Sequence, residues 1–189
     1  MGSSMSLSRF AANHRSELRC YQARVSITQP TVRGQGMGVL AASHRFLAVD
    51  FKLVGMRATT ERSYIMRLDH ATEALQRALG RTSGSFGLAR KLLNIYIRDC
   101  FYSRMLCSQY RLESIGPFLE VPLDSFVAKE LIVEAERLGQ SYRLPTWRTI
   151  KGLEREESDR FQRFARELAS KRKHDRVHLD VTLWGSRKS

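Results

Sequence analysis

The feature that most constrains this chain is a period. Apolar residues return every three or four positions over most of its length, the repeat of an amphipathic helix and not of a strand. Ile65, Leu68, Ala71, Thr72, Leu75 and Leu79 make one such stripe, and Gly80 stops it. Behind a capping Ser85, a second stripe runs from Leu88 through Leu92, Ile95, Tyr96, Tyr102, Met105 and Leu106 to Tyr110. Its width predicts a central, largely buried helix. Pro117 and Pro122 bracket a turn, after which Asp124 or Ser125 opens a helix with Val127, Leu131, Val133 and Leu138 inward and Gly139 as its stop. Ser158 is the expected N-cap of a last long helix carrying Phe161, Phe164, Ala165, Leu168 and Ala169 and ending in Lys171-Arg172-Lys173. There is no internal repeat and no βαβ alternation. The expected fold is all-α, a single helical domain over 1–189, with two small lobes about 60–140 and 1–59 plus 141–189 and a cleft between them. Only Val177 to Leu183 alternates apolar and polar residues, which by period alone reads as an edge strand.

Charge narrows the partners. The 189 residues include 32 Lys plus Arg against 19 Asp plus Glu, a formal net charge of +13. The arginines are spread along the chain, so the folded surface itself is basic, and such a surface attracts polyanions, nucleic acid first. At 42% hydrophobic residues, wholesale disorder is excluded. No apolar run reaches the length of a membrane span. Cys20, Cys100 and Cys107 show no Cys-x-x-Cys spacing, which argues against a zinc module or disulfide scaffold and for a cytoplasmic setting. No secretory signal is expected. Met1-Gly2-Ser3-Ser4-Met5-Ser6 fits a loose myristoylation pattern, but reads better as what a cloning vector leaves.

Several motifs point to chemistry only weakly. Gly34-Gln35-Gly36-Met37-Gly38 lacks the Lys-Ser/Thr of a phosphate-binding loop and reads as a flexible turn, with a mobile loop next to a nucleic-acid site as the alternative. The five histidines have no metal-ligand spacing, and no metal or cofactor is expected. Asp99 and Asp124 lie in apolar segments and are read as a helix cap or as partners of an arginine such as Arg98 or Arg104.

The segment Leu179-Asp180-Val181-Thr182-Leu183-Trp184, following a helix, resembles the end of the catalytic motif in the helix-hairpin-helix superfamily of DNA glycosylases. Leu144-Pro145-Thr146-Trp147 is similar to the Leu-Pro start of that family's hairpin. The resemblance covers about the last forty-five residues. It implies that Asp180 is the essential carboxylate and caps the following helix. The family's hairpin carries two glycines, and Thr146 to Ile150 has none. Its bifunctional members carry a lysine one helix length before the aspartate; here that slot falls near Phe161 and Gln162. The archaeal oxoguanine branch has a longer spacing, which makes Lys151 a second catalytic candidate.

On this resemblance the expected activity is base excision by a monofunctional enzyme. A fixed carboxylate stabilises the oxocarbenium character that develops on the deoxyribose as the N-glycosidic bond breaks. The substrate is double-stranded DNA with a damaged or modified base swung out of the stack, met in repair or in defence against modified phage DNA. Trp147, Trp184, Tyr142, Tyr96 and Tyr102 are candidates for the pocket wall, with Gln162 as a polar reader of the base. Arg143, Arg148, Lys171, Arg172, Lys173 and Arg176 would grip the backbone, and the enzyme would act as a monomer. Two alternatives stand beside this. Arg9 with His14 and Arg172 with His178 fit the Arg-x(4–6)-His spacing of helical HEPN ribonucleases, which cut RNA without metal. The other alternative is a basic nucleic-acid-binding protein without catalysis.

Overall fold

Each long helix starts where the sequence supplies a cap. The structure, a computed structural model, describes residues 16–81, 83–139 and 144–185, and no strand occurs among them. After a helical stretch over 16–26 (α1) come α2 (Val39–Arg45) and a π-helical turn, Phe46–Asp50, from the apolar block of the first sixty residues. The oxygen of Thr60 caps α3 (Glu61–Leu79), accepting from Ser63 N at 3.3 Å, and Gly80 ends it with φ 78°. Ser85 Oγ accepts from Leu88 N and opens α4 (Phe86–Tyr102). Asp124 Oδ1 accepts from both Phe126 N and Val127 N at 2.9 Å, opening α6 (Ser125–Arg137). The Ser85 and Asp124 caps and the Gly80 stop are the boundaries that the period and the capping residues predict, and Thr60 joins them as a cap from the structure.

Four expectations are corrected. The stripe from Leu88 to Tyr110 is two helices: Ser103 turns extended, and its hydroxyl caps α5 (Arg104–Tyr110). Ser158 is not a cap, because Glu154 and Glu157 form a capping box one turn earlier and start α7 (Arg155–Lys171) there. Val133 and Leu138, expected inside, are exposed. The alternating segment 177–183 is no strand. Arg176–His178 is a 3-10 turn leading into α8 (Leu179–Gly185), where Leu179 and Leu183, one helical turn apart, are buried and Val181 is exposed. No helix of the described residues is long and apolar enough to cross a membrane.

The apolar interior forms two clusters. One gathers residues between Ala23 and Leu119 around α4, whose Leu88, Leu92, Leu93, Tyr96 and Ile97 are fully buried. The other joins Val121 and Leu123 to α6, α7 and α8 through Val127, Leu131, Phe161, Phe164, Leu168, Leu179 and Leu183. Gly87 lets the first turn of α4 approach the chain at Ile150, where a β-carbon would collide with the Ile150 carbonyl. Ile150 packs against both clusters.

Between the clusters lies a buried ion pair. Arg90 on α4 donates to both oxygens of Glu120, at 2.8 and 2.9 Å, while Asn94 donates to the same carboxylate at 2.9 Å. A third guanidinium nitrogen reaches Asp69 on α3 at 2.7 Å and Thr72 at 3.2 Å. Burial alone would raise the Glu120 carboxyl, but Arg90, with smaller contributions from Arg176 and Asn94, holds it down at about 2. Glu120→Gln leaves the Arg90 charge short of its main partner, so unfolding free energy is expected to drop by about 3–5 kcal/mol. The reading is a lower urea midpoint at unchanged slope. Because the native carboxyl titrates below its ordinary 4.5, its stabilisation is complete above that value and fades as pH falls towards 2.

Candidate functional site

One face of α4 carries Lys91, Ile95, Arg98, Asp99 and Tyr102 at helical spacing, and three other elements converge on it. The Lys91 amine is half-buried and donates to Thr31 O at 3.3 Å. Its charge environment is set by two carboxylates, Asp124 at the cap of α6 and Asp180 in the first turn of α8. Burial lowers the amine's pKa from its ordinary 10.5, and the two carboxylates only partly oppose this. Asp180 pairs with Arg98, which also holds Asp99 at 2.9 Å. Burial raises the Asp180 carboxyl; Arg98 pulls it back, Asp124 and Asp99 push it further up, and a hydrogen bond from Trp184 lowers it. Alongside, the Tyr102 hydroxyl and His178 Nδ1 lie 2.7 Å apart with their rings stacked. The Trp184 ring packs on Phe126 at 4.4 Å between centroids.

Of the residues singled out in the sequence, Asp180, Trp184 and Tyr102 therefore come together. Asp180 sits at the second position of α8 and not at its N-cap, because the 3-10 turn at 176–178 runs directly into the helix. Its side chain is 14% exposed and faces Arg98, not a sealed interior. Lys151 is exposed on the turn at 150–152, and the lysine electrostatically coupled to Asp180 is Lys91.

The remaining candidates serve other ends. Gln162 is buried with its whole amide spent on one residue: Oε1 accepts from Val121 N at 3.1 Å and Nε2 donates to Val121 O at 2.7 Å. It cannot read a base. Arg176 is buried too, donating to the carbonyls of Leu119, Phe118 and Gln162 at 3.0, 2.8 and 3.3 Å, so it grips the chain itself and not a DNA backbone. Tyr96 is fully buried in the core. Trp147 stands edge-on to Phe161 and, with the exposed Arg148, borders a cavity of about 240 Å³ away from the α4 face. Lys171, Arg172 and Lys173 are exposed cations, Arg172 paired with Glu134 at 3.1 Å. Tyr142 and Arg143 lie outside the described residues, as do Arg9 and His14. The Arg172–His178 spacing does not make one site, since the guanidinium turns to α6 and the imidazole to Tyr102.

Lys91 lies eighty-nine residues before Asp180, far from the slot that the family spacing marks. Its signal is nevertheless in the sequence: Lys91, Arg98 and Asp99 are the charged positions of an otherwise apolar helix, together with Arg90, and charge on a buried helix needs a reason. Comparison of the chain with protein-family models, curated proteins and solved structures returns no match, so these residues carry the functional argument themselves.

What the cluster can do follows from its groups. An amine with a lowered pKa is available as free base, and so as a nucleophile, at a pH where exposed lysines are protonated. Asp124, held by two backbone amides, is a fixed negative charge whose field reaches the amine. Reductive methylation with carbon-13 is expected to give one lysine resonance titrating below the rest, and Lys91→Arg removes it. Gln162→Leu strands the Val121 N–H and C=O and is expected to lower stability by about 1–3 kcal/mol per unsatisfied group, read by urea denaturation.

Proposed function

We propose that this chain is a DNA N-glycosylase acting on a damaged or modified base of duplex DNA, with Lys91 as nucleophile. The observation that carries the reading is the half-buried Lys91 amine, its pKa lowered, within the electrostatic reach of Asp124 and Asp180. The net charge of +13 supports a polyanionic substrate, and the two carboxylates suit a sugar carbon that becomes positive.

In the proposed reaction the nucleotide leaves the stack, and its C1′ meets the Lys91 nitrogen. The lone pair of the amine forms a bond to C1′ while the C1′–N bond to the base breaks, its electrons leaving with the base, which takes a proton from water. Asp124 stabilises the positive sugar through its fixed charge, and the proton that the new C1′–N link loses passes to water. Ring opening then gives a Schiff base on Lys91, and β-elimination cuts the strand on the 3′ side. Base release is the activity expected from the resemblance in residues 179–184, and the lysine adds the strand cut to it. Asp180, Arg98 and Trp184, linked to one another and coupled to Lys91 through the Asp180 charge, are the groups proposed to meet the extruded base. The identity of that base decides between repair and phage defence.

The test is trapping. Borohydride added to the protein on duplex DNA with an abasic site reduces the Schiff base to a stable crosslink. Wild type is expected to crosslink and Lys91→Ala to give none, whereas undiminished crosslinking by Lys91→Ala removes Lys91 from the mechanism. The rate of strand cutting is expected to rise with pH as the amine deprotonates, with its midpoint below 10.5. Mass spectrometry of the free base released from modified phage DNA and from damaged DNA names the substrate. If neither DNA loses a base, the reading fails.

A further inference from the structure

The chain that touches the Lys91 amine leads to an exposed tip. Lys91 Nζ donates to Thr31 O, and four residues on, Gln35 O accepts from Ser83 Oγ at 2.9 Å, so residues 31–35 run along the start of α4. There Gly34, Gly36 and Gly38 take φ of 73°, 110° and 81°, a region that L side chains rarely adopt. A β-carbon on Gly36 would press on Ser83 Oγ at 3.1 Å. The turn is shaped by its glycines, and it carries Met37 fully exposed to water. Arg33 and Arg81, each two residues before a partner of the Gln35–Ser83 bond, are exposed, and neither has an ion-pair partner among the described residues.

These features suit one occupant. Duplex DNA offers phosphates to the two arginines and an apolar stack to the methionine. Proteins that unstack DNA insert apolar side chains, Met among them, between base steps. A flipped nucleotide leaves a gap to be filled, and a flexible thioether adapts to an irregular gap. We propose that residues 33–38 are a finger that enters the duplex, with Met37 filling the place of the extruded nucleotide and Arg33 and Arg81 on the flanking phosphates. The inference rests on the excision reading for its nucleotide gap, but it concerns a different part of the surface.

The probe is a short duplex with a tetrahydrofuran abasic analogue opposite 2-aminopurine, which cannot react with Lys91. On binding wild-type protein, insertion of Met37 disturbs the stacking of the opposite 2-aminopurine, and its fluorescence is expected to rise. Met37→Ala, whose circular dichroism and melting should match wild type, is expected to lose that rise, and Met37→Leu to restore it. Arg33→Ala and Arg81→Ala are expected to weaken binding and flatten its salt dependence. An equal rise with Met37→Ala, or binding by wild type without any rise, overturns the finger. Crosslinking to abasic DNA, run in parallel, separates the two proposals. Crosslinking without a Met37-dependent rise removes the finger alone, and the rise without crosslinking or base release removes the excision reading alone. No binding of the duplex by wild type overturns both.

Discussion

The contact on which the rest of this molecule depends is the buried pair between Arg90 and Glu120. Two charges in an apolar interior are costly unless every donor and acceptor is used. Here both Glu120 oxygens take a guanidinium N–H, Asn94 adds a third bond, and Asp69 takes the remaining side of Arg90. Asp69 in turn binds Arg155, at 2.5 Å, at the first residue of α7. One network thus ties α3, α4, the extended segment at 119–124 and α7, and it lies where the two apolar clusters meet.

The site is the outer side of that network. Lys91 follows Arg90, so the residue that faces inward to Glu120 sets the rotation of α4 that turns Lys91 towards Thr31, Asp124 and Asp180. Asp124 follows Glu120 by one short extended run, whose backbone Gln162 pins at Val121, while Arg176 pins the chain just before it at Phe118 and Leu119. A carboxylate held this firmly offers a charge that need not reorganise, the property that the proposed excision would draw on. The amine is tuned by the same burial that stabilises the fold. Half-covered by its neighbours, it loses water that would favour its charged form, and the nearby carboxylates do not fully make this up.

Much of the fold is legible in residue order because capping and periodicity are local. Thr60, Ser85 and Asp124 start helices where their side chains meet the next turn's amides, and Gly80 and Gly139 end them in conformations that suit glycine. Local rules failed where two local solutions compete. Ser103 divides an unbroken apolar stripe, and Glu154 with Glu157 outcompetes Ser158 as a cap. The alternating segment 177–183 is helical because Leu179 and Leu183 find the second cluster one turn apart. In the site, Asp180 and Trp184 were readable from their own segment. Gln162 and Arg176 were misread, since polar residues that bind backbone have the same letters as polar residues that bind a ligand.

The sequence by itself determined that this is a basic, all-helical chain with caps at stated residues and a carboxylate beside a tryptophan near its end. Those properties depend on neighbours within a turn or two, or on composition alone. Only the tertiary structure decided which lysine feels the charge of that carboxylate. Lys91 and Asp180 are separated by most of the second half of the chain, and the turn of α4 that joins them is fixed by a buried charge pair whose partners are thirty residues apart. Electrostatic coupling acts through space, so no count along the chain could find it.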